Sequence, residues 1–206
     1  MPPELDTAQF YENHIRRSGY DYRAVGLGRR SSQEKRFAAA LSLGDFHGKR
    51  VLDVGCGSGE LLSWLNARGI EPRYTGLDVG RPMIERCRRR FKGAGAHFQI
   101  ADALTFVCDE PFDYIVASGI FGYDARDAKR RVQPTLERLF DLTRIGMSVN
   151  FLSRCAVTRS PGRLYLHPAD VLQFALKLTP AVRFDHTYMP NDFTLSLYRR
   201  PPWDSE

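Results

Sequence analysis

From about residue 50 onward, short apolar runs of strand-forming residues alternate with segments whose apolar residues recur at helical spacing. That alternation restricts the fold more than any other feature of this 206-residue chain. Arg50-Val51-Leu52-Asp53-Val54 reads as a strand, nearly continuous in apolar residues as strands covered on both faces are. Glu60 to Arg68 follows as a helix with Leu61, Leu62 and Leu65 on one stripe, and Gly69 stops it. Arg73 to Asp78 is a second strand, after which Pro82 opens a helix carrying Met83, Ile84, Cys87 and Phe91 at core spacing. His97 to Ala101 and Phe112 to Ala117 read as the third and fourth strands. Val132 to Thr143 reads as a helix with Pro134 in its first turn, and Ile145 to Leu152 as the fifth strand. Pro168 starts a helix bearing Val171, Leu172, Ala175 and Leu178. Val182 to Tyr188 and Phe193 to Tyr198 then flank Met189-Pro190-Asn191-Asp192, whose turn chemistry predicts an antiparallel hairpin.

Strand and helix in alternation predict one α/β domain with a doubly wound, mostly parallel sheet and right-handed crossovers, to which the hairpin adds an antiparallel C-terminal strand at or near one edge. Residues 5 to 43 are expected to be mostly helical and too slight to fold alone. The chain thus divides into an N-terminal helical cap over the binding edge (1–45) and a core (46–206).

Composition excludes several other classes. With 43% hydrophobic and 26% charged residues the chain matches soluble globular proteins rather than a disordered tail, a collagen-like fibre or a coiled-coil rod. No apolar run approaches the roughly 18 residues of a membrane span. Met1-Pro2-Pro3-Glu4-Leu5-Asp6 lacks the pattern of a secretory signal, so a cytoplasmic protein with no membrane partner is expected. Cys56, Cys87, Cys108 and Cys155 show no CxxC spacing and are expected to be reduced, without a metal or redox role. The net charge of +6 raises a nucleic-acid partner. Yet the basic residues are scattered, and the densest run, Arg86, Arg88, Arg89, Arg90 and Lys92, falls on a predicted helix where it reads as a solvated face.

In open α/β sheets ligands bind beyond the carboxyl ends of the strands. Here the first strand runs into Asp53-Val54-Gly55-Cys56-Gly57-Ser58-Gly59 and then a helix. Alternate glycines let the backbone turn sharply and approach a ligand where a Cβ would collide. A dinucleotide fingerprint wants a third glycine three residues after the second, but Glu60 stands there. Asp53 beside the loop is unwelcome to a pyrophosphate and welcome to an ammonium group. Asp78, at the end of the second strand, is placed to accept both hydroxyls of an adenosine ribose. Asp102, after the third, is placed to accept from an exocyclic amine such as adenine N6. Three acids and a glycine loop together describe an adenosine with a positively charged tail. Singly, Asp53 could cap the turn, Asp78 could be a strand-end acid, Asp102 could be an N-cap, and Cys56 reads as a small space-filling residue.

Val51 to Gly59 resembles motif I of the class I S-adenosylmethionine-dependent methyltransferases, and Asp78, Asp102 and Ala117-Ser118 are similar to that family's later motifs in order and spacing. The resemblance covers roughly residues 31 to 200. It implies a Rossmann-like sheet of seven strands with the last antiparallel. It also implies that Gly55, Gly57 and Gly59 contact the methionine part of S-adenosylmethionine, Asp78 the ribose, and Asp102 with Ala103 the adenine, with Val79 and Met83 lining the adenine pocket and S-adenosylhomocysteine as the product. Ser32-Gln33-Glu34-Lys35-Arg36-Phe37, Asn150-Phe151-Leu152-Ser153 and Asn191 to Tyr198 resemble small stand-alone bacterial members. That likeness implies that Arg36 reaches the cofactor's carboxylate, or else that it is a surface helix arginine.

Ser118-Gly119-Ile120-Phe121-Gly122-Tyr123, after the fourth strand, should face the methyl group. The [ND]PP[YF] motif of adenine- and glutamine-directed enzymes is absent there. Ser118 also stands where a metal-assisted enzyme would carry an acid, so no metal is expected, although Asn150 could be one member of such a set. Acceptor-side candidates are Tyr11, His14 and Tyr20 in the cap, Tyr123, and Tyr165 with His167. His14 or His167 could serve as general base, or could be an N-cap or surface residue. The expected activity is methyl transfer to a small molecule at oxygen or nitrogen by a monomer or homodimer. The alternatives are transfer to RNA or protein, and a non-catalytic cofactor-binding subunit.

Overall fold

A computed structural model of the chain describes residues 30–201. His14, Tyr11, Tyr20 and most of the expected cap lie outside the described residues. Within them the elements run α1 (Arg30–Leu41), β1 (Arg50–Val54), α2 (Glu60–Asn66), β2 (Arg73–Asp78), α3 (Arg81–Arg90), β3 (His97–Ile100), β4 (Phe112–Ala117), α4 (Ala128–Leu142), β5 (Thr143–Ser153), β6 (Tyr165–Leu166), α5 (Pro168–Leu178), β7 (Val182–Asp185) and β8 (Asp192–Tyr198).

The strands form one sheet in the order β3-β2-β1-β4-β5-β8-β7, and the two-residue β6 pairs with the end of β5. Pairing is parallel from β3 across to β5, while β8 runs antiparallel to both neighbours. The predicted hairpin is therefore present. Its second strand inserts between β5 and β7 because its face, Phe193, Leu195 and Leu197, is apolar and fully buried, and only an interior position covers it.

Two apolar layers sandwich the sheet. One joins Phe37 and Ala40 of α1, Leu61 and Leu65 of α2, and Ile84 and Cys87 of α3 to Val51, Tyr74 and Val116 of the strands. The other joins Leu136 and Leu139 of α4 and Val171, Phe174 and Ala175 of α5 to Leu52, Ile115, Val149 and Leu195. Val51 and Leu52 face opposite layers, as the two-residue period of a strand requires.

Two expectations need correction. Helix α4 begins at Ala128, four residues ahead of the predicted start, so Pro134 lies inside the helix rather than in its first turn. Ala128, Val132, Leu136 and Leu139 make a buried stripe that holds the helix together despite the missing N–H. Asn191-Asp192 was expected to be turn. Asp192 is instead the first residue of β8 and fully buried.

Candidate active site

β1, β2 and β4 end side by side, with Asp53 registered against Gly76 and Val54 against Ala117. Asp53, Asp78 and Ser118 thus share one carboxyl edge. Between β1 and α2 the chain turns through three left-handed glycines, Gly55, Gly57 and Gly59 (φ 70°, 54° and 79°), a conformation that glycine alone adopts without strain. Their surroundings differ. A Cβ on Gly55 would lie 2.5 Å from Ile120 and one on Gly59 2.4 Å from the Phe91 ring, whereas one on Gly57 would meet nothing within 4 Å. Gly55 and Gly59 are glycines partly because the protein packs against them. Gly57 is the one facing open space.

Asp78 pins this turn. One carboxylate oxygen accepts from Gly57 N at 2.9 Å and the other from Gly80 N at 2.7 Å, and burial nevertheless pushes its pKa up. Each oxygen keeps a second lone pair, so Asp78 can accept further donors while holding the loop. Asp53 is buried (3% exposed) and accepts from the Tyr74 hydroxyl. Burial raises its pKa to about 7, and the neighbouring Asp78 charge adds to the rise while Tyr74 opposes it. Cys56 fills the gap above Gly76, where a Cβ would come 2.9 Å from its sulfur. Contact with Cys87, then burial, keeps its thiol protonated, as befits a space-filling residue.

Asp102 caps its own turn through Leu104 N at 2.9 Å and pairs with Arg131 of α4. Ala103 and Val79 are half-buried, and Met83 is packed away at 1% exposure. The Ser118 hydroxyl is buried and, among the described residues, has no hydrogen-bond partner. A buried hydroxyl left open at the end of β4 is a group that a ligand can complete.

Beyond β4 and β5 lies a buried polar network that sequence reasoning missed. Arg36 of α1 donates from Nε and an Nη to one oxygen of Asp192, at 3.0 and 2.6 Å. The other oxygen accepts from Asn150 Nδ2 at 2.6 Å and from the Tyr188 hydroxyl at 2.9 Å. Asn150 in turn accepts the Gly119 N–H at 2.8 Å. Arg36 is thus neither a surface arginine nor free to give this edge of its guanidinium to a cofactor. Asn150 orients a loop. The resemblance had singled out the three segments that carry Arg36, Asn150 and Asp192, but nothing in the sequence paired them with one another.

Tyr123 is buried under the Arg163 guanidinium, which sits 4.1 Å from its ring centre. Burial raises its pKa, opposed by Arg163, so the phenol stays neutral. His167 is exposed and N-caps α5, its Nδ1 accepting from Ala169 N. Among the described residues its groove, shared with Tyr165, has no wall residue in common with the small cleft of Arg36, Gly119, Phe121, Asn150 and Arg163. The structure gives His167 the capping role among those expected of it.

The sequence pattern of the methyltransferase domain family matches residues 51–145, which hold the glycine turn and all three acids. This stretch is a methyltransferase domain. Over 108 residues the chain is 39% identical to Rv1506c of Mycobacterium tuberculosis, a protein carrying the methyltransferase name; the match covers 50% of this chain and 63% of that protein. Over 75 residues it is 48% identical to the fatty-acid O-methyltransferase of Mycolicibacterium smegmatis, covering 35% of this chain and 27% of the relative. The matches thus span less than two thirds of these relatives' lengths. In three dimensions the chain superposes on the magnesium protoporphyrin IX methyltransferase of Synechocystis with bound S-adenosylmethionine (TM-score 0.68, 15% identity, 97% of this chain and 100% of that one). The N-methyltransferase NodS of Bradyrhizobium japonicum with S-adenosylhomocysteine gives a TM-score of 0.68 at 18% identity, covering 94% and 98%. The methyltransferase domain therefore sits in a class I methyltransferase fold that extends over the described chain, with the seven strands and antiparallel last strand expected and the short β6 as an addition.

Proposed function

We propose that this protein transfers the methyl group of S-adenosylmethionine to oxygen or nitrogen of a small-molecule acceptor, acting as a monomer or homodimer in the cytoplasm. The observation that carries the reading is the conjunction at one sheet edge of Gly57 facing open space, Asp78 with spare acceptor sites, and the orphan Ser118 hydroxyl. These residues suit the cofactor: Asp78 for the ribose hydroxyls, Gly55, Gly57 and Gly59 for the methionine part, and Asp53 for its ammonium. On this reading Asp102 and Ala103 face the adenine, Val79 flanks it, Met83 supports it from beneath, and the Ser118 hydroxyl donates towards the reacting end.

When bound, S-adenosylmethionine supplies a methyl group already activated for in-line displacement by an acceptor lone pair. The chain's task is then to orient. Asn150 fixes the Gly119 amide, and with it the loop carrying Ile120 to Tyr123, against the end of β4. Phe121 of that loop stacks on Phe151, and Phe151 on Phe193, with ring centres 5.5 and 5.1 Å apart, which anchors the loop on an apolar floor. Tyr123, held neutral, can donate a hydrogen bond to the acceptor. The relatives' names support a small-molecule acceptor, among them one for a fatty acid and one for phthiotriol dimycocerosates. The free state of Cys56, Cys87, Cys108 and Cys155 suits a reducing compartment, and among the described residues no helix is long and apolar enough to cross a membrane.

A methyl-label transfer screen tests the reading. Purified protein with labelled S-adenosylmethionine should label the small-molecule fraction of a cell extract. Label confined to RNA or protein, or absent altogether, contradicts it.

A further inference from the structure

The face of the sheet opposite α1 to α3 carries a groove of about 390 Å³ between α4, α5 and β6, a size within the range of small-ligand sites and unused by the proposed reaction. Its floor is apolar: Val132 and Leu136 from α4, Leu166 from β6, and Val171 and Phe174 from α5, all buried. Its rim is cationic. Lys129 and Arg130 stand exposed on the first turn of α4, and Arg154 stands exposed just past β5. Among the described residues none of these three forms an ion pair, although other arginines around the molecule do. Among the described residues Asp170 is the one acid on the wall.

Isolated surface cations are ordinary, and so are small apolar dips. Three unpaired cations around one concave apolar floor are a different arrangement, because the floor excludes water where the rim attracts an anion. We propose that this groove binds an apolar-tailed oxyanion, with its carboxylate or phosphate head held at the rim by Lys129, Arg130 and Arg154 and its tail laid along Leu136, Val171 and Phe174. Arginine's planar fork suits either head group. A nucleic-acid backbone would satisfy the rim but leave the floor empty, so the floor selects the amphiphile.

Calorimetric titration of the full chain with decanoate and with decyl phosphate, below their micellar concentrations, tests the site. Saturable one-to-one binding is expected, with 1-decanol at least tenfold weaker. Replacing Lys129, Arg130 and Arg154 together by Gln should weaken decanoate binding at least tenfold, and Val171→Trp should block it by filling the floor. Arg130→Gln alone, at an exposed position, should weaken it several-fold and keeps the test open if the triple variant does not fold. S-adenosylhomocysteine titrated in parallel should bind every folded variant as it binds the parent, so failure here and failure of methyl transfer are separable. Absence of saturable binding, binding that ignores these substitutions, or binding of a short RNA but not of decanoate would overturn the proposal.

Discussion

Arg36 and Asp192, 156 positions apart in the chain, form a buried ion pair at 2.6 Å that ties helix α1 to the first residue of β8. The carboxylate is 0% exposed and the guanidinium side chain 5%, so neither charge has recourse to water. Asn150 and Tyr188 occupy the other carboxylate oxygen, which is what makes such burial tolerable.

Asp192→Ala should therefore destabilise the protein by about 3–5 kcal/mol, because it strands a buried guanidinium. Urea unfolding measures this. The double replacement Arg36→Met with Asp192→Leu should recover most of the loss, whereas an Asp192→Ala midpoint equal to the parent's would show that the pair carries no stability.

Asn150→Ala should release the loop after β4. A single hydrogen bond of this kind contributes about 0.5–1.5 kcal/mol, so the Gly119 amide should exchange with solvent roughly 2- to 12-fold faster by NMR. S-adenosylhomocysteine affinity should change little, since Gly119 lies on the acceptor side. Unaltered Gly119 exchange would mean the loop is held by something else.

The glycine turn separates packing from ligand clearance. Gly59→Ala meets both a positive φ of 79° and the Phe91 ring at 2.4 Å, and should lower the melting temperature clearly. Gly57→Ala faces only its φ of 54°, with space around it, and should cost less stability. Equal losses of melting temperature in the two variants would refute the distinction.

How much of this could be read in advance follows from which interactions are local. Strands β1, β2 and β4 matched their predicted bounds to the residue, because a buried parallel strand announces itself as a continuous apolar run. Asp78 and the glycines were legible for the same reason: they sit at fixed offsets from those strands. The Arg36–Asp192–Asn150 network was not. Its members come from α1, β5 and β8, and no local pattern in a sequence announces that a turn-like Asp is carried inside by an arginine 156 residues away. Asp102 shows the opposite limit, since its position was clear while its partner, Arg131, comes from a helix that begins earlier than its periodicity suggested.

Asp53 sets a pH dependence. Its folded pKa of about 7 exceeds the ordinary 3.8, so between those values the folded protein holds a proton that the unfolded chain has released. This group's contribution to stability therefore falls as pH rises from about 4 to 7 and levels off above. The difference in unfolding free energy between the parent and Asp53→Asn should vary with pH across that window. A difference independent of pH would show Asp53 ionised throughout.

The most direct measurement is calorimetric titration of S-adenosylhomocysteine into the full chain, its Asp78→Ala variant and its Gly57→Arg variant. One saturable site is expected in the parent, at least tenfold weaker binding in Asp78→Ala, where charged hydrogen bonds worth about 1.5–3 kcal/mol are lost, and none in Gly57→Arg, whose side chain fills the open space beside the turn. Equal affinities across all three, or no binding to the parent, would contradict the placing of a nucleoside at this edge of the sheet.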